Sequence, residues 1–403
     1  MRDVIVIGAG ASGMMAAIMA ARRGKRVLIL ERQHACGIKL KATGGGRCNL
    51  TNTLNSSEFM SRFGKSGRFM SEALKVLDHH KLITFFEQLG VKTHSPDGYR
   101  VFPVTHNAQS ILDALVLELT NLNIEILCSQ NVLKIETIQK RVAAVYSNGR
   151  CYPAKSVVVS TGGAGYQKLG GNCSGYDLLR SLKHTVTDLH PAMLALKVKE
   201  RWVNKCRADT LGSVQIKIDL KKRKSIATGD LIFTKSGIRG PVVLDISREI
   251  TPLLSKYQEI PILIKALKDI DRDALEHHLR LDPSSTILES LSKLLPKSLC
   301  SALLQEIELD SSKSYTQLSV KNRTKLSEIF CLIPLTIIGD GGFENAMVTR
   351  GGVKLKEIDP TTMQSRVVDG LYLCGEVVDL DGPCGGYNLQ FAFASGALVG
   401  ASL

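Results

Sequence analysis

No stretch of about 20 apolar residues occurs in this 403-residue sequence, so a membrane-spanning helix is not expected. A secretory signal is also missing, because the opening apolar run is short and breaks at Gly8 and Gly10. The ten cysteines (36, 48, 128, 151, 173, 206, 300, 331, 374 and 384) include no C-x-x-C pair, and no Cys/His cluster has zinc-ligand spacing. No metal site is expected, and the simplest reading is reduced thiols in a cytoplasmic protein. Acids are scarce beside bases. There are 52 Lys and Arg against 38 Asp and Glu, a formal charge of +14. Residues 1–75 alone hold 13 bases against Asp3, Glu31, Glu58 and Glu72. A second basic focus is Lys221-Lys222-Arg223-Lys224. Such a balance favours a polyanionic partner such as nucleic acid.

What is present is organised around Val4-Ile5-Val6-Ile7-Gly8-Ala9-Gly10-Ala11-Ser12-Gly13. A short apolar strand runs into glycines spaced G-x-G-x-x-G. A helix-forming run follows, then a second apolar strand, Val27–Leu30, ending on Glu31 and Arg32. This pattern predicts the first βαβ unit of a dinucleotide-binding domain. Gly8 permits the tight turn, Gly10 leaves room for a pyrophosphate, and Gly13 lets the helix pack on the strand. The free N–H groups of Ala11 and Ser12, at the helix start, suit phosphate. Glu31 is placed to accept hydrogen bonds from an adenosine ribose.

Further glycine-rich stretches follow the same logic. Thr43-Gly44-Gly45-Gly46-Arg47-Cys48 reads as a loop whose backbone closely approaches a ligand, with Lys39 adding charge. Val157–Ser160 reads as a strand ending in Thr161-Gly162-Gly163. The third glycine needed for a second dinucleotide fingerprint is Lys168, so no separate NAD(P)H site is expected there. Near the C-terminus, the strand Gly370–Cys374 ends on Gly375-Glu376, and Gly385-Gly386-Tyr387-Asn388 precedes a helix over Leu389–Val399. Two such regions binding opposite ends of one long cofactor favour FAD over NAD.

Between them, residues 71–90 read as one amphipathic helix, Val91–Val104 as a hairpin, and Ser110–Leu122 as another helix. Ile124–Leu127, Val132–Ile135 and Val142–Tyr146 read as strands. Residues 191–246 look strand-like. Residues 270–331 look helical, over Ala274–Leu281, Ser285–Leu295, Ser298–Ile307 and Leu326–Leu332.

Thr43–Asn52, Val348–Val353, Thr362–Ser365, Gly370–Glu376 and Gly385–Leu389 together resemble the BaiN/RdsA family of bacterial FAD-dependent oxidoreductases over the whole chain. The resemblance implies an α/β fold. Its Rossmann-like FAD-binding domain is built from both chain ends, 1–190 and 339–403. An inserted β-barrel-like plus helical substrate domain fills 191–338, with its β part at about 191–250 and its helical part at about 270–332. By position, Gly8, Gly10, Gly13 and Glu31 look like the ADP end of the FAD site. Thr43 to Cys48, Gly375, Glu376 and Gly385 to Asn388 look like its flavin side. The run Phe233-Thr234-Lys235-Ser236-Gly237-Ile238-Arg239-Gly240-Pro241 departs from the family pattern in carrying bases at Lys235 and Arg239. Gln364 and Arg366 stand where Glu and Lys are more usual.

The family contains reductases acting on 23S rRNA uridine and others proposed for steroid enones; a relative resembles an amine oxidase. The first two reactions share an electron-poor C=C conjugated to a carbonyl. Hydride goes to its β carbon and a proton to its α carbon. Candidate proton donors are Cys384, Cys48 and Tyr387, and Asn388 could polarise the carbonyl. The expected activity is uridine reduction to dihydrouridine in 23S rRNA, with NAD(P)H as electron donor. Lys221, Lys222, Arg223, Lys224, Lys235 and Arg239 are the expected RNA contacts. The alternative is a small-molecule enone reductase or an amine oxidase.

Overall fold

The computed structural model describes residues 2–221 and 225–403. Lys222, Arg223 and Lys224, expected as RNA contacts, lie outside the described residues. Two compact units are present. One contains residues up to His190 together with Val348–Leu403, and the other is Pro191–Met347.

In the first unit, β1 (Arg2–Ile7), α1 (Ala11–Arg22) and β2 (Val27–Leu30) form a βαβ unit, with Gly8–Gly10 between β1 and α1. β1 pairs in parallel with β2 on one side and with the strand Arg150–Val159 on the other. The strand Leu371–Leu373 adds in parallel to residues 157–159, and Glu125–Leu127 adds in parallel to β2. Antiparallel strands Val132–Ile138 and Arg141–Ser147 extend the sheet from the earlier half of Arg150–Val159. The parallel strands are apolar on both faces, as sheets covered on two sides require. One face is covered by α1, which packs on the helix Tyr387–Ser402. Small residues allow their close approach: Gly396 sits against the Ser12 carbonyl, and Gly400 against the Ala16 carbonyl.

The second unit holds a closed barrel of six antiparallel strands. In order around the barrel they are Leu196–Val198, Gly237–Arg239, Ile226–Phe233, Thr210–Ile218, Ile260–Lys265 and Ile333–Asp340. It has its own core with the helices that follow Leu267.

Several expectations are corrected. The helix over 71–90 is two, Ser71–Val76 and His79–Gln88, because Leu77 leaves helical geometry and the Asp78 carboxylate caps the second by accepting the Lys81 N–H at 2.9 Å. Such a cap is worth about 1 kcal/mol. Residues 241–246 are not strand but open the helix Pro241–Leu254, whose proline occupies the first turn where no N–H is needed. Two barrel strands, Ile260–Lys265 and Ile333–Asp340, lie beyond the expected β part. The expected helix over 285–295 is only Ile287–Ser292. The strand ending at Val159 starts at Arg150, well before Val157.

One buried titratable group belongs to this framework. His184 is 4% exposed, and its Nε2 shares a 2.8 Å hydrogen bond with the Ser365 hydroxyl. Burial holds its pKa below the usual histidine value, against an opposing pull from Glu357. Its stabilisation is therefore complete above the unfolded-chain value of roughly 6.5 and is lost as pH falls through the lower folded value. We expect the thermal midpoint of the protein to drop between pH 7.5 and 5.5, and to drop less in His184→Gln. Equal slopes for the two proteins would show that His184 titrates alike in both states.

Candidate functional site

Four of the parallel strands place their carboxyl ends side by side: β1 at Gly8, β2 at Glu31, Arg150–Val159 at Thr161 and Leu371–Leu373 at Gly375. In open α/β sheets, ligands bind beyond this edge. The order of chain segments explains why the first unit needs both halves. The N-terminal half supplies three of these strand ends and the C-terminal half the fourth.

At the β1 end, the Ser160 hydroxyl donates to the Ile7 carbonyl at 2.9 Å, locking the two strand ends together. α1 begins at Ala11 with no capping side chain and no acid in its first turn. Its free N–H groups and positive dipole end are thus left for an anion. Nothing lies within 4 Å of where a Cβ on Gly10 would stand. The Glu31 carboxylate accepts the Ala9 N–H at 2.6 Å and the Gln33 N–H at 2.7 Å. It is held at the mouth of the glycine loop with both oxygens oriented. Arg32 turns outward and donates to the Gly170 carbonyl at 2.6 Å.

The 3-10 segment Leu40–Gly46 runs into the loop Thr43 to Cys48 and is broken by three consecutive left-handed glycines, Gly44 (φ 59°), Gly45 (φ 66°) and Gly46 (φ 87°). Only glycine adopts such a run without strain. Arg47 stacks over the Phe102 ring at 5.5 Å. Cys48 is fully buried, and burial pushes its thiol up to about 11, so it remains protonated but enclosed.

Lys39 and Glu376, 337 residues apart, form an ion pair at 2.9 Å. The other Glu376 oxygen accepts the Thr349 N–H at 2.7 Å. Thr349 in turn accepts the Ala164 N–H at 2.8 Å through its hydroxyl. One carboxylate therefore connects the N-terminal loop, the segment after Gly162 and the C-terminal strand end. The Thr161 hydroxyl is buried with no hydrogen-bond partner among the described residues.

The loop before the last helix is clamped from two directions. The Asn388 amide accepts the Gly382 N–H at 2.7 Å and donates to the Gly382 carbonyl at 2.9 Å. Asn52, fully buried, donates to the Gly385 carbonyl at 2.8 Å. Tyr387 is 2% exposed, packs on Phe59, and shares a hydroxyl–hydroxyl hydrogen bond with Tyr99. Cys384 is half-buried in the same loop. Asn52, Thr349 and Tyr99 join this site without having been singled out from sequence. The first two sit inside motifs already noted. Tyr99 follows a plain Pro96-Asp97-Gly98 turn and carried no signal.

The donors fit a dinucleotide with a flavin. An uncapped helix start, an open glycine cradle, a fixed carboxylate at the second strand and an orphaned threonine hydroxyl line one edge. The glycine-rich loop at 382–388 is held at Gly385 by Asn52, four residues past the loop at 43–48.

The expected RNA contacts in the second unit do not form one cluster. Lys221 follows strand Thr210–Ile218, before Ile226–Phe233, while Lys235 follows Phe233, so these two lie at opposite ends of Ile226–Phe233. Eight residues of strand separate them by roughly 25 Å. Arg239 pairs opposite Ile232, at the Lys235 end. All three are exposed.

The HI0933-like protein Rossmann domain family matches residues 2–402. The chain is 34% identical to the 3-dehydro-bile acid delta(4,6)-reductase of Clostridium scindens, over 99% of this chain and 98% of that one. It is 28% identical to the ribosomal RNA dihydrouridine synthase of Escherichia coli, over 98% and 96%. Among solved structures, the 3-ketosteroid-delta4-(5alpha)-dehydrogenase of Rhodococcus jostii RHA1 aligns with a TM-score of 0.54 at 15% identity, over 100% of this chain and 96% of that one. That likeness shows a shared fold. The whole-chain match, the paired glycine-rich loops and the strand-end site together make this chain a member of the HI0933-like Rossmann family, the BaiN/RdsA type of FAD-dependent oxidoreductase.

Proposed function

We propose that the chain reduces a C=C conjugated to a carbonyl, and that its substrate is uridine in 23S rRNA. The observation that carries the substrate class is charge. The chain is +14, and exposed cations such as Lys65, Lys356 and Arg366 have no ion-pair partner among the described residues. The reaction type rests on the names of two relatives, an enone reductase and a dihydrouridine synthase, which describe the same bond change.

Bound FAD, once reduced with NAD(P)H as the proposed donor, supplies hydride. The chain does the rest. The start of α1 would hold the pyrophosphate and Glu31 would orient the ribose. Lys39 and Thr349 hold Glu376 at the strand end. Asn52 and Asn388 fix the loop that carries Cys384 and Tyr387. Hydride addition at uracil C6 leaves an enolate at C4–C5, which needs a proton at C5. Of the expected donors, Cys48 is walled off and the Tyr387 hydroxyl is engaged with Tyr99. The half-buried Cys384 thiol is the donor we assign.

Expressing the protein in a host whose 23S rRNA lacks this modification should raise dihydrouridine, counted by mass spectrometry of rRNA nucleosides. Cys384→Ala should lower that yield at least about tenfold with flavin retained. No dihydrouridine from a yellow, flavin-loaded protein would overturn the rRNA reading. It would leave the steroid-like enone reading, which the 34% identity to the bile acid reductase favours. Consumption of such an enone by the same preparation then decides for it.

A further inference from the structure

A cavity of about 480 Å³ lies in the first unit between the turn Gly64–Met70 and the segment 355–366. It is not part of the strand-end site. Its polar lining is Lys65, Ser66, Lys356 and Arg366, and its apolar lining includes Phe69 and Ile358. No carboxylate lines it. None of the three cations has an ion-pair partner within 4 Å among the described residues. The two acids of the same segment are committed elsewhere. Glu357 accepts the Thr185 N–H at 2.8 Å, and Asp359 accepts the Thr361 N–H at 2.9 Å and the Thr361 hydroxyl at 2.7 Å. Asp359 feels the charge of Arg366 and Glu357 that of Lys356, but neither closes to an ion pair.

Three like charges around one concavity repel one another, and that cost is relieved when an anion enters. The volume lies within the range of small-ligand sites. A hydroxyl beside two lysines and a guanidinium suits tetrahedral phosphate oxygens, and the apolar residues suit a sugar or base.

A residue close in sequence to the cavity lining touches the candidate flavin-side loop. Phe63 packs edge-on against Tyr387 at 5.9 Å and abuts Gly382. Lys65 is two residues further along, so its Cα lies within about 7.6 Å of that of Phe63. Arg62, just before the turn Gly64–Met70, and Arg68, within it, are exposed.

We propose that this cavity binds a phosphate group of a nucleotide ligand and anchors that ligand beside the flavin-side loop. The phosphate has two chemical sources, the phosphodiester backbone of RNA or the phosphates of a nicotinamide dinucleotide. The RNA source rests on the uridine reading above, and the dinucleotide source does not.

The test uses the full-length flavin-loaded protein and Lys65→Gln, Lys356→Gln, Arg366→Gln and the triple variant. Binding of a short fluorescein-labelled single-stranded RNA is followed by anisotropy across a salt series, and binding of NADPH by its quenching of flavin fluorescence. The side chains are exposed, so flavin content and thermal midpoint should match the parent, which verifies folding. If RNA is the source, each single variant weakens RNA binding several-fold, and the triple variant lowers the slope of log affinity against log salt by about two. If the dinucleotide is the source, NADPH binding weakens and RNA binding does not. Unchanged affinity for both, or a parent protein that binds neither, overturns the proposal. A parent that binds NADPH through the cavity but never binds RNA leaves the cavity standing and removes the uridine reading.

Discussion

Gly13→Ala is expected to give a colourless and destabilised protein, while Gly10→Ala keeps its stability and loses flavin. A Cβ on Gly13 would overlap the Gly8 carbonyl oxygen and the Ser160 hydroxyl. Both are fixed by the junction of two parallel strands, so neither can retreat. Overpacking of this kind costs about 3 kcal/mol. For a unit of this size that corresponds to a fall of roughly 10 °C in thermal midpoint. Gly10 is different. Its backbone (φ −83°) suits any residue, and the space beside it is open. Its added methyl group meets nothing in the protein and intrudes only where a pyrophosphate would lie. Flavin affinity should fall about 100-fold, which is about 2.7 kcal/mol. Midpoints are measured on flavin-stripped protein and affinity by flavin titration. A Gly10→Ala variant with unaltered flavin affinity would place the pyrophosphate elsewhere.

The second large effect is expected at Glu376. Truncation to Ala leaves the Lys39 ammonium without its partner and the Thr349 N–H without an acceptor. The ion pair is partly exposed (side chains 29% and 21%), so its loss costs less than that of a buried pair. The orphaned N–H adds about 1–3 kcal/mol. More consequential, three chain segments lose their common tether at the strand end. We expect Glu376→Ala to purify with under about a tenth of the parent flavin content, a loss of about 1.4 kcal/mol or more in affinity. Glu376→Gln should fall between the two, since its carbonyl can still accept from Thr349 but its amide cannot accept from Lys39. Visible flavin absorbance relative to protein reads this directly. Full occupancy in Glu376→Ala would mean that the tether is dispensable.

The strand-end half of the site was readable from sequence because its physics is local. Glycine spacing, a strand before and a helix after state the ligand geometry within some 30 residues. The barrel was not readable in this way. Ile260-Pro261-Ile262-Leu263-Ile264 alternates inward at Ile260, Ile262 and Ile264, but its outward residues are apolar or proline too, so the period-2 signal disappears. Its pairing partner begins some 70 residues later, at Ile333–Asp340. The start of helix Pro241–Leu254, residues 241–246, reads as strand because Val242, Val243 and Ile246 are β-branched, and burial of that face outweighs their weak helix propensity. The Tyr99–Tyr387 contact joins residues 288 apart, and nothing near Tyr99 announces it. Asn388 reads from sequence as a residue that could polarise a carbonyl, and both its amide atoms engage the backbone of Gly382 in its own loop.

The strand Leu371–Leu373 completes the parallel sheet on an edge of Arg150–Val159 that the ribosome has already delivered. At ordinary elongation rates the roughly 210 intervening residues take about 10–40 s to make. During that interval the nascent sheet exposes an unpaired apolar edge, the kind of template that other chains add to. The intervening unit, with a closed barrel and its own core, has no such edge and can fold meanwhile. Biogenesis is therefore the vulnerable period of this protein. Slow translation, or synthesis that stops before residue 371, should send it towards aggregation, and flavin supplied during synthesis can rescue only chains that have already passed that point.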